Sequence, residues 1–277
     1  ETLKSYSSYL HNMIEFNENK KVPISFMYQF DKNFCVLFLD EVYLIRDNSG
    51  YTYNNYLGFL KSFSTFCLNH NYITKNPTEG ISGIGRKSRK KIRTVVPEPQ
   101  LIKLNEYLHE KNQHFLLASY LLYYCFIRPA EMARLKLGYI NLSKQTLFVP
   151  DTDSKNRRDG VITLPAKVIH LMIDLRIFDH DQDSYLFSDG FKPGKTKRTE
   201  KMFRDWWRYH VRKDLKFPEK YKFYSLKDTG ITNMLRHYDV LSVRDQARHS
   251  SILMTDIYTP HDIQEANELI KNYEGNF

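Results

Sequence analysis

The second half of the chain carries basic side chains and a tyrosine whose types suit chemistry on an anionic group. They are Arg128, Lys155, Lys227, His249 and Tyr258. Basic side chains stabilise the negative charge that develops on oxygen in a transition state. A tyrosine, with an ordinary pKa of about 10, is a weak nucleophile at neutral pH, and a cationic pocket lowers that barrier. If folding brought these residues together, the tyrosine would be a nucleophile inside a cationic pocket.

Taken singly, each of these residues also has a purely structural explanation. Arg128 stands three positions before Glu131, with which it could form a buried ion pair. Lys155 is one of several charges in a turn, His249 could cap a helix or pack in a core, and Tyr258 is one of 20 tyrosines. Their joint order and spacing is what favours a functional set.

The composition is that of a globular protein with an anionic partner. The 277 residues include 41 Lys and Arg against 32 Asp and Glu, a formal charge of +9 that favours nucleic acid or an acidic substrate. The longest apolar stretch, 115–127, is too short to span a bilayer, so no membrane partner is expected. Cys35, Cys67 and Cys125 form neither a disulfide framework nor a zinc ribbon, which predicts a reduced, cytoplasmic protein. Binding to nucleic acid would also make it nucleoid-associated.

Other catalytic motifs fail on spacing. The segment 190–196 resembles a Walker A loop, but three residues separate its glycines where four are needed, so nucleotide hydrolysis is not expected. His237, His249 and His261 are evenly spaced, yet no Cys or carboxylate completes a ligand set. The sequence therefore predicts no metal and no cofactor.

A basic linker divides the chain into two domains. Its charges, six within eight residues, are Arg86, Lys87, Arg89, Lys90, Lys91 and Arg93. They show no apolar period, and we favour a segment that follows a phosphate backbone over a mobile tether without a function. The predicted divisions are a helical domain at 1–82, the linker at 83–98 and a second domain at 99–277.

Helical periodicity dominates the first domain. Helices are predicted over 3–16 and 33–45, and a third carries an aromatic stripe at spacings of three and four. The stripe consists of Tyr56, Phe59, Leu60, Phe63, Phe66 and Cys67. We interpret it as core rather than as a platform for stacking bases.

The second domain mixes helices with one β-hairpin. A helix begins around Leu101, a buried helix covers 115–127, and strands at 145–149 and 160–164 flank a polar turn. Further helices are predicted over 166–175, 201–214, 226–237 and 241–248. Ser225 and Asp228 have the spacing of a capping box. The predicted fold class is mainly α with a small β-sheet or hairpin.

In this order and spacing, the residues resemble the catalytic domain of the tyrosine recombinases, the phage-integrase family. Ile127-Arg128-Pro-Ala-Glu131 is similar to that family's Gly-Leu-Arg-x-x-Glu segment. Lys155 lies on a hairpin turn, as the family lysine does. Arg248-His249-Ser-Ser251 resembles the Gly-His-Ser-Ser segment nine residues ahead of the nucleophile, here Tyr258.

Three positions depart from the family pattern. The His-x-x-Arg motif is Tyr224-Ser-Leu-Lys227, and the glycine before the second histidine is Arg248. Lysine at the second arginine position is similar to a variant among integrases of mobile and conjugative elements. Lysine keeps the charge but lacks the planar fork that grips two phosphate oxygens.

The resemblance implies a helical, SAM-like core-binding domain followed by an α+β catalytic domain. It implies cleavage and rejoining of DNA through a 3′-phosphotyrosine intermediate, without metal or ATP. Tyr258 would be the nucleophile, Arg128 would contact the phosphate oxygens with Lys227 and His249, and Lys155 would protonate the leaving 5′ oxygen. Tyr224 occupies the position of a histidine that assists proton transfer.

Partners follow from the same resemblance. Double-stranded DNA with specific attachment or core sites is expected, bound by a homo-oligomer that becomes a tetramer in the synapse, with accessory DNA-bending proteins possible. The linker would grip the phosphate backbone together with Lys192, Lys195, Lys197, Arg198 and Lys201. An amphipathic tail helix after Tyr258 would dock in a neighbouring protomer or in its own core. Since the chain begins at Glu1, we also expect an additional N-terminal arm-site-binding domain.

Two other functions stay open from the sequence. The substitutions at Tyr224 and Lys227 suit a helical DNA-binding protein with impaired catalysis. A type IB topoisomerase shares the nucleophile and the cationic pocket, but it would relax DNA without a specific site.

Overall fold

A computed structural model describes residues 2–85, 94–152 and 159–259. The chain divides into two compact units, with the boundary between Ile92 and Arg93. That boundary falls inside the basic linker, whose six charged residues lie outside the described residues.

The first unit is helical. Its helices are α1 (Thr2–Glu18), α2 (Lys32–Asp40), which continues into a π turn (Glu41–Ile45), and α3 (Gly50–Asn69). Asp31 caps α2 by accepting a hydrogen bond from the Phe34 N–H at 2.8 Å, and Ser49 caps α3 through the Thr52 N–H. The helices predicted over 3–16 and 33–45 are confirmed.

The aromatic stripe of α3 forms core except at one position. Tyr56, Phe59 and Leu60 are buried against α1 and α2, but Phe66 is 51% exposed. Phe66 lies at the edge of the stripe, and its ring packs against His70, with centroids 4.2 Å apart. The prediction of a continuous buried stripe is therefore wrong at Phe66.

The second unit combines helices with a small sheet. Its elements are α4 (Glu98–Lys111), α5 (Gln113–Tyr124), α6 (Pro129–Met132), β1 (Ile140–Asn141), β2 (Thr146–Val149), β3 (Gly160–Thr163), α7 (Ala166–Asp174), α8 (Lys201–Trp206), α9 (Arg212–Asp214), α10 (Ser225–Met234), α11 (Val240–Ala247) and α12 (Leu253–Asp256). The predicted fold class, mainly helical with a small sheet, is confirmed.

Within the described residues the sheet has three antiparallel strands in the order β1-β2-β3. Leu147 lies opposite Ile140 on one side and Ile162 on the other. Leu147 and Ile162 are fully buried, so one face of the hairpin covers the core. The predicted hairpin is confirmed, whereas β1 was not predicted because two residues are too short to show an alternating pattern.

Helices α5 and α10 approach closely at the centre of this unit. Phe115, Leu117 and Leu121 of α5 are fully buried. At Gly230 of α10 a Cβ atom would lie 1.9 Å from the carbonyl oxygen of Tyr123. Only a glycine permits this packing, which fixes the middle of α10 beside the end of α5.

Two predicted helix boundaries are wrong. The buried helix ends at Tyr124 instead of 127, because Phe126 adopts a left-handed backbone with φ 55°. The helix predicted over 201–214 has the predicted bounds, and its central turn, Trp207–Val211, is a π turn. The helix predicted over 226–237 begins at Ser225 and ends at Met234.

The capping box predicted at the start of α10 is also wrong. Tyr224 occupies the cap position, and the Ser225 hydroxyl accepts a hydrogen bond from the Lys222 N–H at 3.1 Å. Asp228 is buried and accepts a hydrogen bond from a distant side chain, described below. Tertiary packing thus takes both residues away from the local motif.

Within the described residues, none of the helices is long and apolar enough to serve as a membrane span. The thiols of Cys35, Cys67 and Cys125 are free, and all three residues are buried.

Candidate active site

The left-handed turn at Phe126 delivers Arg128 to the start of α6. Pro129 follows as the first helical residue, a position that suits its fixed φ. Glu131 reaches back to this helix end, where one carboxylate oxygen accepts from the Arg128 N–H at 2.9 Å and the other from its guanidinium at 3.0 Å. The ion pair considered from the sequence is therefore present.

Glu131 also binds a second arginine. Arg248, directly after α11, donates from Nη2 to Glu131 Oε2 at 2.5 Å. Glu131 is 1% exposed, and burial alone would raise its pKa. The charge of Arg248, the backbone N–H of Arg128 and the charge of Arg128 outweigh burial and hold the pKa of Glu131 below its ordinary value.

Lys227 lies beside this pair, on the first turn of α10. It is 1% exposed, and its ammonium donates to the carbonyl oxygen of Phe126 at 2.6 Å. Burial, assisted by the positive charges of Arg128 and Arg248, lowers the pKa of Lys227 from 10.5 to about 7, although Glu131 opposes the shift. Lys227 is consequently a buried amine whose charge changes near neutral pH.

Tyr258 is anchored at its hydroxyl and along its ring. The phenol donates to Asp228 Oδ1 at 2.9 Å, and Asp228 adjoins Lys227 on α10. The side chain is 7% exposed. Its ring packs in a cluster formed with Phe126, Ile231, Val243 and Ala247. The phenolic oxygen of Tyr258 is thereby held beside Asp228 and its neighbour Lys227.

His249 stands alongside this tyrosine. The two rings are nearly parallel, with centroids 6.2 Å apart and planes at 17°. Nδ1 of His249 lies 2.8 Å from the hydroxyl oxygen of Thr255, which fixes the orientation of the imidazole. Helix α12 turns the chain back so that residue 258 meets residue 249.

Four of the predicted site residues therefore converge within one unit. Arg128, Lys227, His249 and Tyr258 come from the turn after α5, the start of α10, the end of α11 and the turn after α12. Tyr224, directly before α10, is 39% exposed. The predicted Lys155 lies outside the described residues.

The sequence reasoning missed the roles of Asp228 and Arg248. The spacing of Ser225 and Asp228 predicts a capping box, and only the hydrogen bond from Tyr258 reveals that Asp228 belongs to the site. Arg248 carried a usable signal, because it stands where the family segment has a glycine, the residue that favours a left-handed helix end. Its φ is 52°, in the left-handed region.

Some predicted backbone-binding residues form exposed ion pairs. Lys195 lies 2.8 Å from Asp181, and Arg198 lies 2.5 Å from Asp189. Exposed pairs of this kind contribute little stability, so they would exchange readily for an anionic partner. Lys197 is exposed between them. Within 2–85, 94–152 and 159–259, no group of three or more His, Cys, Asp or Glu side chains could hold a metal ion.

A mainly helical unit with a small sheet brings basic side chains and a buried tyrosine together. Residues 94–265 match the Phage integrase family. The chain belongs to this family.

Curated relatives are named as tyrosine recombinases. The chain is 25% identical over 201 residues to a Tyrosine recombinase of Pseudothermotoga lettingae, a match covering 72% of this chain and 66% of that protein. It is 25% identical over 213 residues to Tyrosine recombinase XerC of Escherichia coli O1:K1, covering 75% and 69%.

Solved structures share the fold. A lambda integrase dimer bound to a COC′ core site superposes with a TM-score of 0.71 at 14% identity, covering 96% of this chain and 90% of that one. The Tn1549 transposon integrase in complex with transposon right end DNA gives a TM-score of 0.69 at 12% identity, covering 96% and 92%.

Proposed function

We propose that this chain is a site-specific DNA recombinase, an integrase, that cleaves and rejoins DNA through a 3′-phosphotyrosine intermediate. The observation that carries the proposal is the position of the Tyr258 hydroxyl, 2.9 Å from Asp228, beside the buried cations of α10 and α6. A phenol held next to a proton acceptor and a cationic pocket is equipped to attack a phosphate.

The cleavage step balances with this chain's own residues. The phenolic oxygen of Tyr258 bonds to phosphorus as the bond from phosphorus to the 5′ oxygen breaks. Asp228 is the nearest acceptor for the phenolic proton, and Lys155 supplies a proton to the leaving oxygen. The new bond conserves the energy of the old one, so a DNA hydroxyl can reverse the step and rejoin strands without ATP.

The basic side chains bind the phosphate in this mechanism. As phosphorus becomes five-coordinate, negative charge gathers on its non-bridging oxygens. Arg128 meets that charge with paired hydrogen bonds from its guanidinium. His249, oriented by Thr255, donates from its other ring nitrogen, and Lys227 adds positive charge from below. Tyr224 stands at the exposed edge and contacts the backbone of the substrate.

Double-stranded DNA is the proposed partner. The lambda and Tn1549 integrases are described on DNA, and the charge of +9 supports an anionic ligand here. The helical unit, the linker and the exposed group Lys195, Lys197 and Arg198 would hold the phosphate backbone. We extend to this chain the tetrameric synapse that the family resemblance implies.

A trapped covalent adduct tests the proposal. A duplex is first selected for binding from a randomised library and then nicked, so that the short cleaved fragment diffuses away and prevents rejoining. The chain should form an adduct in EDTA, and mass spectrometry should find the nucleotide on Tyr258. Y258F should bind the duplex equally and form no adduct.

Other outcomes identify the alternatives. Specific binding without any adduct, unchanged in Y258F, would indicate a catalytically impaired DNA-binding protein. Relaxation of supercoiled plasmids of unrelated sequence would instead indicate a topoisomerase. An undiminished adduct in Y258F would reject Tyr258 as the nucleophile.

A further inference from the structure

Two guanidinium groups share one buried carboxylate in this site. Glu131 accepts from Arg128 through Oε1 and from Arg248 through Oε2, at 3.0 and 2.5 Å. The arginines come from segments more than a hundred residues apart, yet their charged ends lie side by side. Two positive charges against one negative charge leave this group of three side chains with a net positive charge.

The backbone conformation at Arg248 favours glycine, which indicates that arginine occupies this position because of its side chain. Its φ of 52° and ψ of 44° lie in the left-handed region, where glycine is favoured. The residue closes α11, and its N–H bonds back to the carbonyl oxygens of Arg244 and Asp245. Glycine would satisfy those bonds with less backbone strain, but it could not reach Glu131.

The surrounding fold makes room for the long side chain. At Gly160, the first residue of β3, a Cβ atom would lie 2.5 Å from Cδ of Arg248. Gln246 fastens α11 to the same strand by accepting from the Thr163 N–H at 3.1 Å and donating to its carbonyl at 2.8 Å. Helix and strand are thus held in register along the path of the arginine.

Lys227 is poorly suited to act as the second constant cation of this pocket. Its ammonium points inward to the Phe126 carbonyl, and burial together with Arg128 lowers its pKa to about 7. A guanidinium stays charged throughout the physiological range and offers two parallel donors. Arg128 and Arg248 are therefore the two permanently charged groups around Lys227, whose neighbour Asp228 binds Tyr258.

We propose that Arg248 is a second phosphate-binding residue, which contacts a non-bridging oxygen of the scissile phosphate together with Arg128, and that Glu131 holds the two guanidinium groups in position. The inference rests on the proposed function, since it assigns a further group to the same reaction. It places part of the charge stabilisation on a residue at which this chain departs from the family's Gly-His-Ser-Ser segment.

The test compares two substrates with R248G. Glycine suits the left-handed backbone, so the variant removes the guanidinium while relieving local strain. Single-turnover adduct formation is measured at saturating protein on a nicked duplex with either an ordinary phosphodiester or a neutral methylphosphonate at the cleavage position. R248G should lose about 10²- to 10³-fold on the phosphodiester, the usual effect of removing one donor to an oxyanion. It should lose much less on the methylphosphonate, which carries no charge to neutralise.

Two further variants guard the interpretation. If R248G unfolds, G160A provides the test instead. It keeps the arginine but places a methyl group against its side-chain methylenes. It should therefore lower cleavage of the phosphodiester much more than cleavage of the methylphosphonate. R244A removes a neighbouring arginine of α11 that pairs with Asp245, and it should cleave both substrates like wild type.

The outcomes separate this inference from the proposed function. Wild-type cleavage of the phosphodiester by R248G, or equal losses on both substrates, would overturn the role of Arg248 while leaving the recombinase proposal intact. A wild-type chain that forms no adduct on either substrate would contradict the proposed function itself.

Discussion

The phenol of Tyr258 donates a hydrogen bond of 2.9 Å to Asp228. Asp228 lies next to Lys227 on the first turn of α10. One helix therefore presents both an amine and a carboxylate to the site. Apolar side chains pack against the ring, and the hydroxyl is directed at Asp228 rather than at solvent. The hydrogen bond joins the position of the tyrosine to a route for its proton.

D228N tests whether the carboxylate takes that proton. An amide oxygen still accepts the hydrogen bond, so the geometry is retained while the basicity is lost. We expect adduct formation at pH 7 to fall by about 10²-fold or more, a typical contribution of general base catalysis. The rate of D228N should rise more steeply with pH than that of wild type, because hydroxide can take the phenolic proton that the amide cannot.

Single-turnover rates of D228N and wild type between pH 6 and 10 provide the measurement. A D228N rate equal to wild type at pH 7 would contradict the proton-acceptor role. A loss that stays constant across the whole range would indicate that Asp228 only positions the ring.

E131Q removes the carboxylate that both arginines share. Breaking a buried ion pair from one side costs about 3–5 kcal/mol, because the remaining charges lose their partner. The pKa of Glu131 lies below its ordinary value, since the charges of Arg248 and Arg128 outweigh the effect of burial. Its stabilisation is therefore complete above the unfolded-state pKa of about 4.3 and is lost as the pH falls through the lower folded-state value.

Urea unfolding of E131Q and wild type at pH 7 and at pH 3–4 measures this effect. The difference in the free energy of unfolding should be large at pH 7 and smaller in acid. Equal differences at both pH values would show that the ion pairs do not carry the stabilisation.

K227M tests the buried amine, whose charged form is disfavoured by burial. The pKa of Lys227 is lowered by burial and by neighbouring arginines to about 7 in the folded chain, against 10.5 ordinarily. Between those values the unfolded chain binds the extra proton, so rising pH stabilises the folded wild type. Wild type should gain stability relative to K227M from about pH 7 to 10, with little change below pH 6.

Melting temperatures of the two proteins at pH 6, 7.5 and 9 measure the gain. Other titrating groups cancel because both chains contain them. Parallel profiles for wild type and K227M would contradict a titration of Lys227 in this range.

G230A tests the close approach of α10 to α5. The added methyl group would lie 1.9 Å from a carbonyl oxygen of α5, so the helices must separate. We expect a cost of about 3 kcal/mol, at the upper end for over-packing, together with loss of adduct formation as Lys227 and Asp228 move. Denaturant unfolding and the trapping assay report the two effects.

G58A is the matched control for that substitution. Gly58 lies within α3 and is exposed, and a Cβ atom there meets nothing within 4 Å. Alanine at a helix interior should raise the free energy of unfolding by about 0.5–1 kcal/mol. Equal losses for both variants would show that the approach at Gly230 is not the cause.

Local pattern accounts for most of the secondary structure. The helices around Leu104 and Ile169 and the hairpin through Leu147 and Ile162 follow from apolar spacing, which depends on neighbours a few residues away. The errors concern the ends of helices and the tertiary partners of side chains. The left-handed turn at Phe126 ended one helix early, and no propensity at that residue indicated it.

The sequence by itself determined which reactive side chains this protein has, in what order, and on which helices or turns most of them stand. The tertiary structure alone decided which charges meet: the carboxylate of Glu131 between two arginines, the ammonium of Lys227 on a carbonyl, and the phenol of Tyr258 on Asp228. Such contacts join residues up to 117 positions apart. Their energy depends on distance and burial after folding, and neither quantity is contained in the spacing of residues along a chain.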